Sequence, residues 1–180
     1  MTATIEFDDT KFGELLLYIA EESVGDPKFG KTKLNKILFY MDFLGYGIHG
    51  KPLTGAAYQR RPFGPVPKQI TLVRNRLIAN GDAAVEYAEY FGRPQERLVA
   101  KRPPNLSLFT QAEIDLAAEV LKALWNRSAT EASELSHREP GWALAGDRDE
   151  IPYSAVFLSS RALTPEDIRR GQEIEALLAA

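Results

Sequence analysis

The chain has 180 residues, 44% of them hydrophobic, and a formal net charge of -3. That length suits one domain able to bury a core without covalent help. There is no cysteine, which excludes a disulfide framework, a thiolate nucleophile and a thiolate metal site, and fits a reducing, cytoplasmic setting.

Residues 1–9 are polar and acidic and lack the basic and apolar regions of a signal peptide. No apolar run approaches the roughly 20 residues that span a bilayer, so no membrane partner is expected. Charge is unevenly placed. Residues 1–29 carry seven acidic and two basic side chains, residues 30–80 nine basic and one acidic, and residues 110–150 nine acidic and four basic. Either these blocks screen one another in the fold, or the middle forms a positive face for an acidic protein or nucleic acid.

In chain order, Phe12, Leu15, Leu16 and Ile19 fall at helical spacing, which predicts a helix over 11–23 capped by Asp9 or Thr10 and stopped at Gly25-Asp26-Pro27. A second helix is predicted over 32–44. It is apolar around most of its circumference, so it belongs at the centre of the fold, with Gly45 and Gly47 ending it. Leu53 to Arg61 reads as a strand. Three prolines then fall within six residues, Pro62 to Pro67, and make a stiff turn around Gly64. Pro65 and Pro67 suit the first turn of a third helix, expected to reach Ala79.

Residues 84–90 and 96–101 read as a hairpin turning at Phe91-Gly92-Arg93-Pro94. Thr110 with Glu113, and Ser128 with Glu131, are capping boxes opening two more helices, the second running to His137 and broken at Pro140-Gly141-Trp142. Thr164-Pro165-Glu166-Asp167 opens a last helix to Leu178. The expected class is α+β, mainly α: about six helices around a small antiparallel sheet of about three strands. The expected organisation is a single domain over 1–180, with 146–180 as its C-terminal helical extension.

The residues give little support to catalysis. There is no Gly-x-Ser-x-Gly elbow, and Ser136 or Ser160 with His137 has no supporting spacing. Glu134, His137 and Glu139 cluster without a second histidine nearby, so no metal is expected and His137 is read as bonding a neighbouring loop. Prolines in Phe63-Gly64-Pro65-Val66-Pro67 remove the amide donors a phosphate loop needs. No catalytic residue and no cofactor is expected.

A DNA-binding reading has more substance. Two helices, a strand, a helix and a hairpin approach a winged-helix order, with Lys68, Arg74, Arg76 and Arg93 as candidate phosphate contacts. Against it, a winged helix places its first strand between helices one and two. At roughly 100° per residue, Arg74 and Arg76 cannot both share the face of Lys68. A winged-helix-like transcriptional regulator therefore stands as the alternative, with nucleic acid a disfavoured partner.

The segment Leu34-Asn35-Lys36-Ile37-Leu38-Phe39-Tyr40-Met41-Asp42 resembles the opening pattern of the SocA-like antitoxin family, the Panacea domain. Gly50-Lys51-Pro52-Leu53-Thr54-Gly55, then Tyr58 and Phe63-Gly64-Pro65-Val66-Pro67, then Leu135-Ser136-His137 and Pro140 with Trp142, resemble later pieces of that family in the same order. The last helix matches none of it. The resemblance implies a bacterial or phage-associated antitoxin that neutralises a cognate toxin by direct protein contact, acts as a proteolytic adapter that hands the toxin to the ClpXP protease, and carries no catalytic residues.

On the residues themselves, aromatics and arginines anchor protein interfaces, and Tyr58, Arg60, Arg61 and Phe63 concentrate them in six positions. The expected protein-binding surface is Tyr58, Arg60, Arg61, Phe63, Gly64, Pro65, Val66 and Pro67. Tyr58, His137 and Trp142 have a competing reading as core residues. Leu34, Asn35, Lys36, Tyr40, Asp42, His137 and Trp142 form the expected structural motif, with Asn35, Lys36 and Asp42 as candidates for a buried polar network.

Overall fold

The computed structural model describes residues 5–90, 92–158 and 164–178. Seven helices are present among them: α1 (Asp9–Glu22), α2 (Lys31–His49), α3 (Ile70–Ala79), α4 (Gln111–Leu124), α5 (Ala129–His137), α6 (Pro140–Leu144) and α7 (Pro165–Leu178). The strands are β1 (Tyr58–Gln59), β2 (Val66–Pro67), β3 (Ala83–Tyr90), β4 (Arg93–Ala100) and β5 (Glu150–Ile151). The molecule is mainly helical α+β, as the sequence predicts.

The helix starts follow from local chemistry. Asp8 caps α1 by accepting from the Lys11 amide at 2.8 Å, one residue before the expected cap. Both capping boxes form, Thr110 with Glu113 on α4 and Ser128 with Glu131 on α5. Helix α2 is the axis of the core: every residue from Lys33 to Phe43 except Tyr40 is buried, and the helix packs on α4, α5, β2, β4 and the 3-10 turn at Tyr153–Phe157.

Three elements depart from the sequence reading. Helix α2 runs through Gly45 and Gly47 to His49. Gly45 lies against the returning chain: a Cβ on it would lie 2.5 Å from Leu53 Cδ1, so a larger residue requires the buried Leu53 side chain to shift. The strand expected over 53–61 shrinks to Tyr58–Gln59, because Thr54 is drawn out of any ladder by two hydrogen bonds to Asp42. Pro65 and Pro67 do not start a helix. Val66–Pro67 pairs antiparallel with Tyr58–Gln59, and α3 begins at Ile70.

The three-stranded antiparallel sheet has the order β2-β1-β5, with Tyr58 opposite Pro67 on one side and Ile151 on the other. Its third strand comes from Glu150–Ile151, for which the sequence gives no signal. The hairpin β3–β4 makes a separate two-stranded sheet, closed at Tyr90 and Arg93; Phe91 in its expected turn lies outside the described residues.

Residues 150–155, expected in a helical extension, enter the core: Ile151, Tyr153 and Ala155 are buried. Tyr153 packs tilted on Phe43 at 4.7 Å between ring centroids and donates to the Ala56 carbonyl at 2.6 Å. Helix α7 has no buried residue among its described side chains. No helix among the described residues is long and apolar enough to cross a membrane.

Candidate functional site

Between β1 and β2 the chain turns through Arg60 to Pro65, and the turn is fastened from behind by groups carried on α2, α5 and α6. Gly64 has φ +100°, a conformation that L side chains rarely adopt. A Cβ there would also meet Ser136 Oγ at 2.3 Å and Lys36 Cε at 2.5 Å. Glycine is therefore required twice over, by backbone angle and by close approach. The Lys36 ammonium donates to the Pro65 carbonyl at 3.2 Å, and the Ser133 hydroxyl donates to the Phe63 carbonyl at 3.0 Å.

Behind the turn lies a buried carboxylate. Asp42 accepts from the Thr54 amide at 2.6 Å, the Thr54 hydroxyl at 2.7 Å and the Tyr58 hydroxyl at 2.7 Å. Burial pushes the Asp42 carboxyl up from its ordinary range, while those donors pull it back down. Burial likewise raises the Tyr58 hydroxyl. Lys36 has no ion-pair partner among the described residues, and burial lowers its ammonium to about 7.

In front, the side chains stack. Trp142 donates from Nε1 to the Arg61 carbonyl at 3.1 Å, and Arg60 donates from Nε to the Trp142 carbonyl at 3.1 Å. The Arg60 guanidinium lies 4.3 Å from the Trp142 ring centroid, a cation–π distance. His137 stacks on the same indole at 3.9 Å and 18°. Burial lowers the His137 imidazole, the Lys36 charge adds to this, and the Pro62 backbone opposes it. The Pro62 backbone bond is the neighbouring-loop contact the sequence predicts for His137, and the His137 Nε2 is buried without a partner.

The expected surface thus divides. Tyr58, Gly64, Pro65 and Pro67 are buried and hold the corner from inside; they offer nothing directly to a partner. Arg60, Arg61 and Val66 are half-buried, and Phe63 is 73% exposed. Arg61 has no ion-pair partner among the described residues, so its charge is available. Trp142, expected as a motif residue, is half-buried and serves as the platform that fixes Arg60. Asn35, Lys36 and Asp42 are all buried, but they do not share one network: Asp42 bonds to Thr54 and Tyr58, and Lys36 to Pro65. Tyr40 donates to Glu139 at 3.2 Å, and Leu34 packs in the core.

Groups weighed for chemistry are otherwise engaged. Ser136 is fully buried and donates to the Ser133 carbonyl at 2.8 Å; Ser160 lies outside the described residues. No group of three or more His, Asp or Glu among the described residues is placed to hold a metal ion. Of the nine basic residues of 30–80, five hold a carboxylate, while Lys36, Lys51, Arg60 and Arg61 make no ion pair among the described residues. Lys68 meets Glu150 at 2.7 Å, Arg74 meets Glu96 at 2.5 Å, Arg76 meets Asp9 at 2.6 Å, and Lys33 is paired with Asp26.

The site is thus a rigid corner in a small, mainly helical α+β domain, with Phe63 exposed and Arg61 without an ion pair among the described residues. The chain belongs to the SocA-like antitoxin family: the family model described as antitoxin SocA-like, Panacea domain, matches residues 34–143. The match opens on α2 and closes in α6, so it contains both the fastened corner and the Trp142 platform. Among curated proteins and solved structures, nothing matches the chain. Family membership supports an antitoxin role and a toxin as partner in general terms, and it suggests a role without catalysis.

Proposed function

We propose that this protein neutralises a cognate toxin by direct binding, with the corner from Arg60 to Val66 as the contact surface. The observation that carries this reading is the contrast within the corner. Its backbone is pinned by Lys36, Ser133 and Trp142, yet the Phe63 ring stands 73% exposed. A large apolar side chain held outward on a preorganised backbone loses little freedom on binding, which is the condition for an interface anchor. Arg61 supplies an adjacent unpaired cation suited to an acidic patch on the toxin.

The same surface serves a second step in this reading, delivery of the bound toxin to a protease of the ClpXP type. Toxin half-life in cells with and without the protease separates plain masking from delivery. A DNA-reading role is the weaker alternative, since Lys68, Arg74 and Arg76 each already hold a carboxylate, and a regulator needs them free for phosphates.

The direct test is co-expression with the product of an adjacent small toxic reading frame, followed by size-exclusion chromatography. Co-migration with the wild-type chain and its loss with Phe63→Ala support the reading. Co-migration undiminished by Phe63→Ala and Arg61→Glu together contradicts it.

A further inference from the structure

The β3–β4 hairpin is a sheet of two strands, so each strand has one edge with no ladder on it among the described residues. The phase of the ladder tells which groups lie on those edges. The Lys101 amide donates to the Asp82 carbonyl at 2.8 Å, and the register from Ala83 opposite Ala100 to Tyr90 opposite Arg93 continues from that pair. Bonded pairs alternate with non-bonded ones along an antiparallel ladder. Glu86 and Ala88 therefore bond to β4, while the amides and carbonyls of Val85, Tyr87 and Glu89 point outward. Pro94 stands opposite Glu89, an outward position on β4 where a residue without an amide costs the ladder nothing.

The two edges are built differently. On β4, Pro94 removes a donor and Leu98 is buried in the core, so that edge is blocked at one end and covered further along. On β3, the residues from Glu86 to Glu89 are all exposed. Among the described residues no hydrogen bond from another element reaches the backbone of Val85, Tyr87 or Glu89. The stretch has no proline and no lysine, and its one-to-one register has no bulge; these are the usual devices that stop a strand from adding. Tyr87 stands 77% exposed on it. The edge is also acidic: residues 82–90 hold Asp82, Glu86 and Glu89 and no basic side chain. Lys101 meets Glu86 at 3.4 Å, whereas Glu89 makes no ion pair among the described residues. Glu89 lies two positions beyond Tyr87 and so shares its face of the sheet.

We infer that the outer edge of β3, from Val85 to Glu89, takes up an extended basic segment of another polypeptide as an added strand. An incoming residue opposite Tyr87 lies on the same face and diagonal to Glu89, within reach of a long side chain. An arginine there covers the Tyr87 ring and meets the Glu89 carboxylate. Backbone bonds hold the strand, and charge selects it. A second copy of this chain fits the edge worse, because pairing β3 with β3 gathers two Glu86 and two Glu89 carboxylates on one ribbon. The edge contains no residue of the corner, and the test leaves Phe63 and Arg61 unaltered, so strand addition here and toxin contact there succeed or fail separately.

The test adds the peptide acetyl-Val-Arg-Thr-Arg-Val-amide to the full chain and follows backbone amides by NMR hydrogen exchange. One control peptide carries glutamate in place of both arginines, and another carries N-methyl groups on both arginine amides. The basic peptide is expected to protect the Tyr87 and Glu89 amides saturably, while Glu86 and Ala88, already bonded to β4, stay unchanged. It should bind about tenfold more tightly than the acidic peptide, the swing of two exposed charge pairs from attraction to repulsion. The N-methylated peptide should give no protection. Glu89→Lys, at an exposed position, should lower the affinity for the basic peptide several-fold; should that variant fail to fold, the three peptides on the unaltered chain decide alone. Equal protection by the acidic or the N-methylated peptide overturns the assignment. So does the absence of saturable protection, or protection that grows with protein concentration when no peptide is present, which makes a second copy the occupant.

Discussion

At the scale of single residues, the account turns on Asp42, Lys36 and Gly64. Asp42 takes three hydrogen bonds from Thr54 and Tyr58 in a site with no access to water. Asp42→Ala leaves those three donors unpaired and opens a cavity, which should cost about 3–5 kcal/mol in a denaturant titration. Lys36 behaves oppositely. Its ammonium sits near 7 in the folded chain, against 10.5 when solvated, so between those values the unfolded chain holds the extra proton and stability rises with pH. Below about 7 both states are charged and the fold bears the full penalty of the buried cation. Lys36→Met is therefore expected to stabilise the protein near neutral pH. The gain should shrink toward about pH 10, where the lysine is increasingly neutral in both states, leaving only its lost bond to Pro65. Unfolding measured at both pH values checks this, and a gain that grows with pH would refute it. Gly64→Ala should destabilise by more than about 2 kcal/mol, from the left-handed backbone and from overlap with Lys36 and Ser136 combined.

Among the elements, what could be read from the sequence was what local chemistry decides. Thr110 with Glu113 and Ser128 with Glu131 start helices because each pair satisfies its own amides wherever it lies in a fold. The α2 stripe was legible because its apolar positions outnumber its polar ones. Gly45 reads as a helix stop in the sequence because its neighbour Leu53, eight residues on, is invisible to local pattern. Val66–Pro67 reads equally as helix or strand, since proline fits both a first helical turn and an edge strand; the pairing with Tyr58 decides, and that is a tertiary fact. Glu150–Ile151 gave no signal at all, being two residues joined to a strand some ninety positions earlier. The same limit applies at the site. The residues of the corner were legible as an aromatic and arginine cluster, but which of them face outward was not, because Tyr58 is claimed by Asp42 and Arg60 by Trp142, both distant in sequence. This difference makes an element-level prediction. Removing α7 by ending the chain at Leu158 should leave thermal stability nearly unchanged, as none of its described side chains is buried. Ending it at Asp149 removes Ile151, Tyr153 and Ala155 from the core and should lower stability by several kcal/mol.

Taken whole, the molecule spends its buried polar groups on shape. The ammonium of Lys36, the hydroxyl of Ser133 and the indole of Trp142 converge on one turn of backbone, while Asp42 holds Thr54 and Tyr58 beside it. Charge is partly matched: Lys33, Lys68 and Arg76 of the basic middle pair with Asp26, Glu150 and Asp9 of the acidic flanks, whereas Arg61, beside Phe63, makes no ion pair among the described residues. Membership of the SocA-like antitoxin family, matched over residues 34–143, supports an antitoxin role, and the proposed contact at the corner is what remains to be measured. The most direct measurement is growth rescue. Cells expressing the adjacent toxin should recover when the wild-type chain is co-expressed and should not recover with the paired variant Phe63→Ala and Arg61→Glu, whose melting curve remains that of a folded protein. Full rescue by that folded variant would contradict the account.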